Sequence, residues 1–205
     1  MELPRVLVTG GCGFLGTAIV SALLDTKRYA ITAIDVNPPS LGSTTFANDV
    51  RYVRCDVLDA SSLSNVFSEA RPAVVVHTVG VYPLGTKRYS VKGKDAIFKI
   101  NVEGTKNVIE ASREHGAKGF VYTSSVTVVL DELGHDFRNV DERWPTKRAN
   151  TSYGLSKVRH PPFWYMICSP KSCTTCHSIP ILYHPSRRVI EWLRRPEAEA
   201  EGLNE

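Results

Sequence analysis

The sequence predicts an α/β domain whose sheet is parallel and doubly wound, with helices on both faces. Three observations predict it. Short apolar runs alternate with stretches of helical spacing over the first three-quarters of the chain. The first run breaks directly into Gly10-Gly11-Cys12-Gly13-Phe14-Leu15-Gly16. The fourth, Ala73-Val74-Val75-Val76, is continuously apolar, as a strand covered on both faces requires. Strands alternating with helices make right-handed crossovers, and these stack into one parallel sheet.

Each element follows in order. Arg5-Val6-Leu7-Val8-Thr9 is a buried strand stopped by glycine, and Phe14 to Leu24 places Phe14, Ala18, Ile19, Ala22 and Leu23 on one helical face. Ala30 to Ile34 is a second strand ending at Asp35. Val50 to Cys55 alternates and ends at Asp56, giving a third. Ser61 to Ala70 reads as a short helix, and Asp95 to His115 as one long helix closed by Gly116. Phe120 to Thr123 is a fifth strand, residues 131–150 are loop-like, and Thr151 and Ser152 cap a helix carrying Tyr153 and Lys157.

After Lys157 the texture changes. Residues 158–205 hold six of the twelve prolines, three of the five cysteines and one of the fourteen glycines. Pro161 and Pro162 oppose continuation of the preceding helix, so the sheet is expected to be incomplete. The chain divides accordingly into a nucleotide-binding domain over 1–157 and an irregular, poorly ordered tail over 158–205, in which only Arg187 to Arg195 has helical spacing.

Composition narrows the function. A net charge of +4, with no long Lys/Arg block, argues against nucleic acid as a partner. No apolar run approaches the roughly 20 residues of a membrane-spanning helix. The lack of a secretory signal and the odd cysteine count, with Cys12 inside the glycine turn, lead to the expectation of a reduced, cytoplasmic protein. Cys173-Thr174-Thr175-Cys176-His177 has the form of a haem-attachment site, but it lies in the Pro-rich tail and is read as a chance match; a zinc site there lacks further ligands at usual spacing. No metal is expected. A homodimer is left open.

The glycine turn has the strand–turn–helix setting of a dinucleotide site. Gly10 permits the tight turn, Gly13 lets backbone approach a pyrophosphate, and Gly16 allows close helix–strand packing. Asp35 suits the adenosine ribose hydroxyls, and its charge repels a 2′-phosphate, which favours NAD over NADP without excluding NADP. Asp56 reads equally as an adenine contact or a turn residue. Tyr153 and Lys157, four apart, share a helix face, and an ammonium beside a phenol is expected to lower the phenol's pKa. A serine of Tyr122-Thr123-Ser124-Ser125 is placed to hold a substrate oxygen. His77 is read as a structural neighbour of the cofactor, and Asn101 as either a support for the site or an ordinary helix residue. Turn, serine and Tyr/Lys pair together point to a redox enzyme using a nicotinamide cofactor.

These residues together resemble the extended short-chain dehydrogenase/reductase family, and within it the 3β-hydroxysteroid dehydrogenase/isomerase branch that includes sterol-4α-carboxylate 3-dehydrogenases. Thr9-Gly10-Gly11-Cys12-Gly13-Phe14-Leu15-Gly16 is similar to the family's TGGxGFLG. Asp56-Val57, His77-Thr78, Asn101-Val102-Glu103-Gly104-Thr105, Tyr122-Thr123-Ser124-Ser125 and Tyr153-Gly154-Leu155-Ser156-Lys157 follow in the family's order, over residues 3–157. The resemblance implies a Rossmann-like domain. It implies cofactor contacts from Gly10, Gly13, Phe14, Leu15, Gly16, Asp35, Asp56, Val57 and Lys157. It also implies Ser125 rather than Ser124 as the catalytic serine, Tyr153 as general acid/base and Lys157 as its partner. The implied substrate is a secondary alcohol on a steroid-like or other apolar molecule, and the implied location extends to the endoplasmic reticulum surface. Sugar-nucleotide epimerases share much of the pattern. The family's Ala- and Glu-rich continuation is replaced by Arg159-His160-Pro161-Pro162, so a truncated or aberrantly spliced product, or an inaccurate gene model, is expected ahead of a divergent tail. An inactive dinucleotide-binding fragment is the rival reading.

Overall fold

A computed structural model of the chain describes residues 2–43, 47–82, 94–129, 149 and 151–158. The expected loop over 131–150 (except Ala149), the haem-like motif and the expected tail and helix beyond Val158 lie outside the described residues.

Among the described residues, five parallel strands form one sheet in the order β3-β2-β1-β4-β5: β1 Arg5–Thr9, β2 Ala30–Asp35, β3 Val50–Arg54, β4 Val74–His77 and β5 Gly119–Tyr122. The order reverses between β1 and β4, and this is where a doubly wound sheet opens a ligand crevice at its carboxyl edge. Register aligns Thr9 with Ile34 on one side and with His77 on the other, and His77 with Tyr122. The residues that end β1, β4 and β5 therefore stand in one row.

The period-two pleat sorts the apolar side chains onto two faces. Val6 and Val8, with Ile31, Ala33 and Val76, pack against Ile19, Val20 and Leu23 of helix α1 (Phe14–Thr26). Leu7, Ile34, Val75 and Phe120 point the other way, onto Leu63, Val66 and Phe67 of α2 (Ala60–Ala70) and Val108 and Ala111 of α4 (Thr105–Glu114). Asp59 starts α2 by accepting the Ser62 N–H at 3.0 Å. Phe67 is fully buried, and truncating such a side chain to Ala costs about 3–5 kcal/mol.

The long helix read over Asp95 to His115 is broken into three. A short α3 (Lys94–Phe98) leads into a π-helical turn, Lys99–Gly104, and α4 follows. A Cβ on Gly104 would lie 2.7 Å from the Val57 side chain, while Asn101 is fully buried and turned toward the sheet's carboxyl edge. An inserted residue in the helical ladder re-aims a side chain in this way. The last described helix is α5 (Ser152–Val158), which follows the 3-10 turn Val126–Val129 and packs on it. Thr151 caps α5, its hydroxyl accepting the Gly154 N–H at 3.0 Å.

Candidate active site

The glycine turn is fixed by backbone contacts. Gly10 has φ +68°, a left-handed conformation that favours glycine, and a Cβ there would also meet the Thr78 hydroxyl at 2.8 Å. On Gly16 a Cβ would lie 2.0 Å from the Gly10 carbonyl oxygen, an overlap no rotamer relieves. Gly11, Cys12 and Gly13 spend their N–H groups holding the loop, on the Ile34 carbonyl, the Asp35 carboxylate and the Gly10 carbonyl at 3.0–3.1 Å. Gly13 precedes α1 and supplies no side-chain cap. The first turn of α1, Phe14, Leu15 and Gly16, therefore offers N–H donors and a positive dipole end to an anion. The Phe14 side chain is 97% exposed there.

Asp35 is joined to this turn. Its carboxylate accepts the Cys12 N–H at 3.1 Å and the Asn37 N–H at 3.0 Å, and an ionised carboxylate has lone pairs left for further donors. Burial, reinforced by Asp35, pushes the Cys12 thiol up to about 11, so it stays protonated at neutral pH. Asp56 and Val57 follow β3, on the far side of β2. Asp56 accepts the Leu58 N–H at 2.9 Å in a turn, and the Val57 carbonyl accepts from Asn107 at 3.0 Å.

The second cluster forms over the ends of β4 and β5. Lys157 is 2% exposed, and its Nζ donates to the Thr123 carbonyl at 3.1 Å. The ammonium lies 4.7 Å from the Tyr122 ring centroid and 5.7 Å from that of Tyr153. Burial lowers its pKa from 10.5 to about 8. The Tyr153 phenol hydrogen bonds Ser125 and meets Tyr82 edge-on, ring centroids 6.1 Å apart. Ser125 Oγ accepts from the Thr127 hydroxyl at 3.0 Å and the Thr127 N–H at 3.3 Å, which turns its own proton outward from the 3-10 turn. The structure thus brings Ser125, Tyr153 and Lys157 together; Ser124 has no part in the contacts of Tyr153 among the described residues.

One electrostatic expectation needs correction. Tyr153 is shifted up, not down: burial raises its pKa most, the Ser125 hydrogen bond offsets part of this, and Tyr82 adds to it. Lys157 does not reverse the shift: its ammonium donates to the Thr123 carbonyl and stands 5.7 Å from the Tyr153 ring centroid.

The two clusters meet across residues 78–80. Thr78 packs on Gly10 and donates to the Thr9 carbonyl at 2.7 Å, and a Cβ on Gly80 would sit 2.9 Å from Lys157 Nζ. Asn101 closes the arrangement from the π-turn. Its amide donates to the Val81 carbonyl and to Ser156 Oγ at 2.9 Å each, and its carbonyl accepts the Val81 N–H at 2.8 Å. The switch point of the sheet, a glycine turn and a Ser/Tyr/Lys set form one constellation, and it can be placed among known proteins.

Residues 7–159 match the model of the 3-beta hydroxysteroid dehydrogenase/isomerase family. The chain belongs to that family. A 3-beta-hydroxysteroid dehydrogenase of Mycolicibacterium neoaurum is 33% identical over 163 residues, covering 77% of this chain and 41% of the relative. The decarboxylating sterol-4-alpha-carboxylate 3-dehydrogenase of Candida albicans is 32% identical over 150 residues, covering 70% and 40%. Among solved structures, the NAD complex of UDP-glucose 4-epimerase from Thermus thermophilus superposes with a TM-score of 0.65 at 29% identity, over 75% of this chain and 47% of that one. The chain spans less than half the length of each of these relatives.

The family resemblance carried by the motifs is therefore borne out, as is the doubly wound parallel sheet. Four residues of this family member escaped the sequence reading as contributors to the site. Gly80 makes room for Lys157. Gly154, where a Cβ would lie 2.4 Å from the Thr127 carbonyl, seats α5 on the 3-10 turn. Ser156 and Val81 are the partners of Asn101. The small residues Gly154 and Ser156 inside Tyr153-Gly154-Leu155-Ser156-Lys157 were the available signal, since they let α5 approach the 3-10 turn on one side and Asn101 on another.

Proposed function

We propose that this chain carries the cofactor-binding and proton-transfer elements of an NAD-dependent oxidoreductase that oxidises a secondary alcohol on a steroid-like substrate. The observation that carries the reading is the juxtaposition of Ser125, Tyr153 and Lys157 at the switch point beside an uncapped, glycine-built helix start. The fit to a dinucleotide rests on that uncapped start, on the open side of the turn at Gly13, where a Cβ would meet only the Gly10 carbonyl oxygen at 3.3 Å, and on the Asp35 carboxylate held beside the turn. Gly10, Gly13, Phe14, Leu15 and Gly16 would face the pyrophosphate, Asp35 the adenosine ribose, and Asp56 and Val57 the adenine side. NAD would supply the hydride acceptor. Ser125 would orient the substrate oxygen, and Tyr153 would take the hydroxyl proton. Lys157, already beside the Tyr153 ring, would hold positive charge near the forming phenolate.

Steroid-named relatives and the family model support an apolar alcohol as substrate. Epimerases among the structural neighbours support a nucleotide sugar as the second reading. Calorimetric titration with NAD and NADP, followed by NADH absorbance with a 3β-hydroxysteroid and with UDP-glucose, tests both. NAD binding with steroid-dependent NADH formation supports the proposal. NAD binding without turnover of any alcohol supports a cofactor-binding fragment, and no binding of either dinucleotide sinks both readings.

A further inference from the structure

We propose that His77 is a positioning residue that ties the glycine turn to the helix of Tyr153 and Lys157 through one directional chain of buried hydrogen bonds. His77 is fully buried at the end of β4, and both ring nitrogens are engaged: Nδ1 lies 2.6 Å from Thr9 Oγ1, and Nε2 lies 2.9 Å from Thr105 Oγ1. The Thr105 hydroxyl fixes the direction. It lies 2.6 Å from the Asn101 carbonyl oxygen, which only accepts, so the single Thr105 proton is committed there. Nε2 must then donate to Thr105, and Nδ1 must accept from Thr9. The imidazole is held in the Nε2–H tautomer and flanked by two rings of the neighbouring strand, Tyr122 (ring centroids 5.7 Å) and Phe120 (6.0 Å).

The chain does not stop at the π-turn. The Asn101 amide donates to Ser156 Oγ at 2.9 Å, and Ser156 Oγ donates to the Tyr153 carbonyl at 2.7 Å. Every hydroxyl along the way has one proton and one direction to send it. Thr9 immediately precedes the glycine turn, and its own carbonyl accepts from Thr78, the residue packed on Gly10. A change of backbone position at the turn is thus passed to α5 by groups that have no alternative solvent partner, since Thr9, His77, Asn101, Thr105 and Ser156 are all 1% exposed or less. The consequence for catalysis rests on the dinucleotide reading above: filling the turn would firm the seat of Tyr153 and Lys157 before substrate arrives.

The test uses the whole chain. In the unliganded protein, side-chain nitrogen NMR of His77 should show a protonated Nε2 and an unprotonated Nδ1; an Nδ1–H tautomer or a doubly protonated ring overturns the chain. Thr105→Val, which removes the acceptor of Nε2 and the donor to Asn101 at constant shape, should speed amide exchange at Leu155 by about tenfold while leaving Ile31 to Ile34 unchanged. Uniform acceleration would mean a general loss of stability and would overturn the coupling. His77→Phe, which keeps the stacking, should behave alike. Finally, ADP carries adenosine and pyrophosphate but nothing that reaches Lys157. Its binding should slow Leu155 exchange in the parent and not in Thr105→Val. ADP that binds without slowing Leu155 defeats the coupling, whereas failure of ADP and NAD to bind defeats the functional reading and leaves the tautomer and exchange results to judge the chain.

Discussion

The glycine turn and the Tyr153/Lys157 cluster are both held rigidly, but by opposite means. In the turn the constraint is close steric approach to the main chain: at Gly10, Gly11 and Gly16 a single added carbon meets the Thr78 hydroxyl, the Ala33 methyl and the Gly10 carbonyl at 2.8, 2.7 and 2.0 Å. In the cluster the constraint is side chain against side chain over long sequence separations, with Asn101 bridging to Ser156 and Thr9 to His77. The first kind of site fails when something is added. The second fails when something is taken away, and it leaves buried polar groups behind.

The largest expected effect follows from the first half. Gly16→Ala would place a methyl 2.0 Å from the Gly10 carbonyl, so α1 must part from β1. A loss of more than about 3 kcal/mol of unfolding free energy is expected, with dinucleotide binding abolished. Gly13→Ala sharpens the point, because its Cβ meets only the Gly10 oxygen, at 3.3 Å. It should lose less than about 1 kcal/mol of stability yet weaken NAD binding by over about tenfold, as read by denaturant melts and calorimetry. Equal damage from both substitutions would mean that Gly13 is structural and that the turn is not a ligand cradle.

Removing a group from the second half should act on chemistry instead. Tyr153→Phe is expected to cut turnover by about 10³-fold, within the range for a positioned acid/base, while leaving the NAD dissociation constant unchanged. Because burial raises the phenol's pKa, alcohol oxidation by the parent should rise with pH through the neutral range, as more of the phenol ionises. A flat profile would remove Tyr153 from the proton-transfer step.

The same contrast explains what was legible. Gly10 and Gly16 could be read from the sequence because a glycine required by sterics announces itself as a glycine at a fixed interval. The inner strands were legible because both faces of the sheet are covered and their apolar runs are continuous, and the edge strand β3 because its residues alternate. The π-turn was not legible. Lys99 to Gly104 has ordinary helical spacing, and the contact for which Gly104 makes room is with Val57, over 40 positions earlier in the chain. Nor was the pKa of Tyr153. Spacing put Lys157 on the correct helix face, but the Thr123 carbonyl that captures its ammonium belongs to another element, and burial then outweighs charge. Asn101 was ambiguous for the same reason: its partners Val81 and Ser156 lie 20 and 55 positions away.

Lys157 separates stability from function most clearly. Its pKa is lowered from 10.5 to about 8 by burial, so between these values the unfolded chain binds more protons than the folded one. Folding stability of the unliganded protein should therefore rise as pH increases from about 8 to 10.5, by about 3 kcal/mol from this group, and be flat with respect to it below pH 8. Lys157→Met removes the charged group while filling much of its volume. It should be more stable than the parent at pH 7, lose that alkaline rise, and lack turnover. A variant less stable than the parent at pH 7 would show that the Thr123 bond outweighs the desolvation of the ammonium.

The smallest effect discriminates between neighbours. Ser125 accepts both Thr127 groups and reaches the Tyr153 phenol, whereas Ser124 has neither contact among the described residues. Ser125→Ala should lower turnover by about 10²-fold, as loss of one positioned donor does, with stability changed by about 1 kcal/mol. Ser124→Ala should leave stability within about 0.5 kcal/mol and turnover within a factor of about two. The pair is informative because the two serines share a backbone segment and a side-chain type, so a difference between them can only come from direction: one hydroxyl is turned by the 3-10 turn toward the phenol, and the other is not. Were Ser124→Ala the more damaging, the seat of the substrate oxygen would have to move one residue back along the chain, out of reach of the Thr127 contacts that orient Ser125.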